Sequence, residues 1–99
     1  MITKYNFEIP NNVINSNYQR LINQIWKLIP MKESQEDWVS HLNIVIEEIA
    51  GLNKILADDK NFIILLSKLE GLSAPVCEDF MIYRKTVFRC IELLSRMKQ

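Results

Sequence analysis

Trp38, Leu42, Val45, Ile49, Leu52 and Leu56 recur at intervals of four, three, four, three and four residues. A stripe that holds this phase over about five turns fits an α-helix with one face against a core, because a strand needs alternation every second residue. Three other segments share the period. Over residues 12–29, Ile14, Tyr18, Leu21, Ile22, Ile25, Leu28 and Ile29 fall on one arc opposite Asn17, Arg20, Gln24 and Lys27. Pro30 is expected to end that helix, since proline lacks an amide hydrogen and its ring crowds the preceding turn.

The second helix is predicted over residues 35–57, with Ser34 and Asp37 as a capping-box-like start. Gly51 lies inside it and costs about 1 kcal/mol against alanine, yet the stripe stays in phase through Leu52 and Leu56, so the helix is read as continuous. Asp58 and Asp59 can cap a third helix over residues 60–70, stopped by Gly71. Ser73 and Pro75 then launch a last helix over residues 74–97, with Val76, Phe80, Tyr83, Val87, Ile91 and Leu94 as its spine. Ahead of all four, Thr3, Tyr5, Phe7 and Ile9 alternate with Lys4, Asn6 and Glu8, and Pro10 closes the run. This is the pattern of an extended arm. Short links favour antiparallel neighbours. The expected fold is all-α: a compact antiparallel four-helix bundle, one domain over residues 1–99, with a short extended N-terminal arm.

Composition narrows the function. A chain of 99 residues can bury roughly 65% of its surface, enough for one core and no second lobe. Twelve basic residues balance twelve acidic ones, so no overall field draws in nucleic acid or an anionic membrane. Residues 1–10 lack a signal pattern and no 18-residue apolar run occurs, which points to a soluble, cytoplasmic protein. Cys77 and Cys90, read as 13 residues apart on one helix and so about 20 Å apart, cannot bridge each other there, as suits a reducing compartment. Nine Asn, fourteen Ile and eight Lys fit A/T-rich codon usage, as in a low-GC bacterium or its mobile elements.

Catalytic patterns are absent: two glycines make no phosphate loop, and no nucleophile elbow or HExxH occurs. No enzymatic activity and no cofactor are expected. His41, with Asp37 four residues before it and Glu48 seven after, is the sole histidine, and one helix supplying one His and two carboxylates makes a poor metal cage.

What remains is apolar surplus. Around the last helix, Cys77, Met81 and Phe88 form one shoulder beside the spine and Ile82 and Leu93 the other. Only Glu78, Lys85, Arg89, Glu92 and Arg96 make a polar strip. Asp79 and Arg84 lie beside the apolar arc and call for partners, and Tyr83 next to Arg84 has the composition of a binding hot spot. Such a helix is central in its fold or covered by another molecule. The expected interface comprises Met81, Ile82, Tyr83, Arg84, Phe88 and Leu93, with a second shoulder of Ile44, Gly51 and Ile55. Arm residues Tyr5, Phe7 and Ile9 either pack on the helices or pair with a second copy or a partner sheet. Burying about 600 Å² there is worth about 15 kcal/mol gross, set against 4–15 kcal/mol of association cost. The chain thus reads as a protein–protein interaction module: an accessory subunit, modulator or inhibitor of a larger assembly, self-associating or heteromeric. An alternative follows from charge, since residues 81–99 carry net +4 and residues 31–60 net −4. Lys85, Arg89 and Arg96 form a stripe able to lie along phosphates, which would make the protein a nucleic-acid-associated regulator.

Overall fold

In the computed structural model residues 3, 5, 7–56 and 60–98 are described. Four long helices, α1 (Asn11–Trp26), α3 (Trp38–Ile55), α4 (Lys60–Gly71) and α5 (Phe80–Met97), gather around one core, with a short α2 (Leu28–Glu33) and a 3₁₀ turn (Pro75–Glu78) between them. The molecule measures 42 × 21 × 20 Å. The fold is all-α. Helix α1 lies against α5 and α3, and α4 closes the ring between α3 and α5. Each long helix contributes its apolar arc: Tyr18, Leu21 and Ile25 from α1, Leu42, Val45 and Ile49 from α3, Phe62, Leu65 and Leu69 from α4, and Tyr83, Val87, Cys90 and Leu94 from α5 are all sealed. No described helix is long and apolar enough to cross a membrane.

Several boundaries differ from the sequence reading, each for a local reason. Pro30 does not end the first helix; it sits in the first turn of α2, where a missing N–H is harmless. Its effect falls four residues earlier. The carbonyl of Trp26 loses its donor and meets the proline ring, so α1 stops at Trp26 and the chain turns at Lys27. Ser34 is not a helix start but the C-cap of α2. Gln35 follows in the left-handed region at φ 57°, its N–H bonding to the Lys32 carbonyl and that of Glu36 to the Met31 carbonyl. That pair of bonds is a Schellman motif, with glutamine where glycine is usual. Asp37 is the true cap of α3: its carboxylate accepts from the Ser40 amide at 3.1 Å and the Ser40 hydroxyl at 2.6 Å. Helix α3 then runs unbroken through Gly51.

Gly71 is the last residue of α4, in ordinary right-handed conformation, and not a left-handed stop. The proposed caps Asp58 and Asp59 lie outside the described residues, as do Lys4 and Asn6. The last helix is two elements. After the 3₁₀ turn, Asp79 turns extended and its carboxylate accepts from the Met81 amide at 2.9 Å, restarting the helix at Phe80. Cys77 and Cys90 therefore sit on different elements, both buried and both free, and Val76 is exposed rather than part of the spine. Thr3 makes an antiparallel bridge to Leu56. The arm then turns back on itself, since the Thr3 amide bonds to the Phe7 carbonyl and the Thr3 hydroxyl accepts from the amides of Tyr5 and Phe7. Because of that turn the alternation fails: Thr3 is buried and Ile9 half-buried, while Tyr5 and Phe7 stand in solvent.

Candidate functional site

Helix α5 is pinned at its first turn. Tyr83 is sealed, and its hydroxyl donates to the Leu28 carbonyl of α2 at 2.9 Å. Burial first, and Cys77 second, push its phenol above the ordinary range. The Lys32 ammonium donates to the Cys77 carbonyl at 2.9 Å and lies 4.5 Å from the ring centres of both Trp38 and Tyr83. Four elements (α2, α3, the 3₁₀ turn and α5) thus meet where one cation caps two rings that themselves pack edge to face, centres 5.2 Å apart. Tyr83 consequently holds the fold together and offers nothing to a partner, which corrects its place among the interface residues.

The two residues before Tyr83 point the other way, into solvent. Met81 is 58% exposed and Ile82 38%. Further along the Met81 shoulder, Phe88 is half-buried beneath the edge of Trp26 from α1, ring centres 5.0 Å apart, and the Arg84 guanidinium lies over its ring at 5.2 Å. Arg84 therefore has an aromatic partner on its own helix, and Asp79 serves as a cap; neither is a buried charge awaiting another subunit. Trp26 was not singled out in the sequence. A tryptophan off the apolar arc of α1 was the available signal, and it is part-exposed here beside Phe88.

Across α5, Leu93 joins Ile64 of α4 in a groove of about 340 Å³ whose other walls are Asn61, Lys68, Arg89, Glu92 and Arg96. Two of the three proposed phosphate contacts, Arg89 and Arg96, are here; Lys85 is not. Arg96 is tied to Glu92 by an ion pair one turn apart. Cys90, on the core side of the same turn, is pushed up to about 12 by burial, with the Lys68 charge opposing, so its thiol is inert.

The second shoulder, on α3, is open. Ile44 and Ile55 are exposed, and a methyl group added at Gly51 would meet nothing within 4 Å. Between them Glu48 pairs with Arg20 of α1 at 2.8 Å. His41 does not gather the carboxylates around it. Its Nε2 lies 2.8 Å from the Gln24 carbonyl, which can only accept, so that nitrogen carries the proton. Asp37 is occupied by Ser40 and Glu48 by Arg20, and among the described residues no group of three His, Cys, Asp or Glu side chains converges.

No protein family, no curated protein and no solved structure matches the chain.

Proposed function

We propose that this protein is a non-enzymatic interaction module that docks on a protein partner through the start of α5 and the α3 shoulder of Ile44, Gly51 and Ile55, as an accessory subunit or modulator of a larger assembly, and that self-association uses the same surfaces. The observation that carries the reading is the exposure of Met81 and Ile82 immediately before a sealed Tyr83. That turn is rigidly held from within, so two large apolar side chains are presented on a fixed backbone with little further ordering needed on binding. Trp26, Arg84 and Phe88 lie along the same side of α5 as Met81, and Trp, Arg and Met are the residue types enriched where binding energy concentrates. Two free, buried thiols suit a reducing cytoplasm.

The test is sedimentation equilibrium at micromolar concentration together with affinity capture from the native cell. Both use the wild-type chain and Met81→Asp/Ile82→Asp, whose exposed positions leave the core intact. The double variant is expected to be monomeric and to lose the captured partner. An undiminished set of captured proteins and an unchanged oligomeric state would remove the start of α5 as the docking surface. A nucleic-acid reading keeps one support: Lys85 and Arg89 have no carboxylate partner among the described residues. It predicts salt-dependent retention on mixed DNA that Arg89→Glu abolishes.

A further inference from the structure

We infer that the groove between α4 and α5 is a seat for an acidic amphipathic helix of a partner protein, its apolar side chains on Ile64 and Leu93 and its carboxylates toward Lys68, Arg89 and Arg96. This rests on the reading of the protein as an interaction module. The groove shares the Ile82–Leu93 shoulder of α5 but lies farther along the helix, and neither Met81 nor Ile82 lines it.

Shape comes first. The α4 wall is Asn61, Ile64 and Lys68, at steps of three and four residues, and the α5 wall is Arg89, Glu92, Leu93 and Arg96. Each wall therefore runs along its helix for about two turns, roughly 10 Å. The trough holds about 340 Å³ and is walled only by α4 and α5, so no third element roofs it. A small molecule in a trough this open stays well short of the 70–90% burial usual for such ligands, whereas a helix laid in a groove needs only one face covered. The aliphatic part of the lining is Ile64 and Leu93.

Charge then selects among helices. Three cations line the groove against one carboxylate, and Glu92 is already engaged by Arg96. Lys68 and Arg89 have no carboxylate partner among the described residues. An incoming helix that flanks its apolar stripe with Asp and Glu supplies the missing partners, while a basic one meets repulsion. Nucleic acid fits less well: Glu92 sits within the cation row, and the aromatic pair Trp26–Phe88, on which a base could stack, lies on the α1 side of α5.

The probe is a covalently stapled, fluorescein-labelled peptide of about 14 residues with leucine on one face and glutamate elsewhere, the staple being needed because so short a helix is marginal in water. Anisotropy is read with the full chain at low and high salt. Binding is expected to weaken as salt rises. It should weaken at least about tenfold with Lys68→Glu/Arg89→Glu, and by a smaller factor with Lys68→Gln/Arg89→Gln. Met81→Asp/Ile82→Asp should retain the peptide. Equal binding by a peptide of the same composition with leucines scattered around the helix would overturn the inference. So would equal binding by a lysine-for-glutamate peptide, tighter binding of a single-stranded oligonucleotide that displaces the probe, or no loss in the charge-reversed protein. Should no peptide bind while Met81→Asp/Ile82→Asp still abolishes capture, this inference falls and the docking function stands; the opposite pattern removes the α5 docking surface and keeps the groove.

Discussion

Replacing Gly51 with alanine should stabilise the isolated chain and weaken its assembly. In α3 the residue has right-handed backbone geometry and is half-buried, and a built Cβ meets nothing within 4 Å, so the substitution carries no steric cost. What remains is backbone entropy, because glycine in a helix interior is less favourable than alanine by about 0.5–1 kcal/mol. For a chain of this size a gain of 1 kcal/mol raises Tm by about 4–8 °C, which puts the expected rise at about 2–8 °C. Urea unfolding followed by far-ultraviolet circular dichroism should show a higher midpoint at an unchanged slope, since the surface exposed on unfolding is the same. A lower or unmoved midpoint would mean that something crowds Gly51, and would refute the reasoning. Capture of a partner is the second readout. With Ile44 and Ile55 exposed on the same shoulder, glycine lets a neighbouring backbone approach closely, and a methyl group there holds it off. A variant that is more stable and equally competent to bind would take this shoulder out of the interface.

Tyr83→Phe should lower stability by about 1–2 kcal/mol, because it removes a buried hydrogen bond to the Leu28 carbonyl and nothing else; thermal unfolding measures the loss, and none would show that water replaces the hydroxyl. The Asp37 carboxyl is held below its ordinary value by the Ser40 hydroxyl and then the Ser40 amide. A depressed folded-state value contributes stability above the unfolded value of about 3.9 and loses it as pH falls through the lower folded one. Asp37→Asn should therefore keep the cap while flattening the acid limb of the stability curve, and identical acid limbs would contradict this. With Cys90 pushed up to about 12 and Cys77 also buried, a thiol reagent at pH 8 should label neither residue in the native protein and both in denaturant. Fast native labelling would show that the core opens.

Helical periodicity made the four long helices readable because each needs one buried face, and their arcs match the sealed residues of α1 and α3 closely. Chain punctuation was harder. Leu28 and Ile29 continue the α1 arc in phase, which hid the joint at Lys27, and a proline reads alike whether it ends one helix or opens the next. Ser34 and Asp37 stood three residues apart in the right order, yet the bonds of α2 claimed the first and left only the second as a cap. At the candidate site, a helical wheel gives the angle of a side chain and not what its neighbours cover. Met81 and Phe88 share a shoulder, but Trp26 reaches only Phe88. Packing of Tyr5 and Phe7 on the helices was misread for a related reason, since the turn around Thr3 replaces the straight geometry that alternation assumes. Lys32 over the Trp38–Tyr83 pair was beyond reach, for its three partners come from three other elements.

Helix α1 rests more extensively on α5 than on any other element. During synthesis, then, the stripe of Ile14, Tyr18, Leu21, Ile22 and Ile25 lacks its broadest cover until helix Phe80–Met97 has left the ribosome, although α3 and Phe62 of α4 reach part of it sooner. Folding cannot be completed piecemeal from the front, and any fragment that stops short of α5 exposes an adhesive flank for as long as it survives.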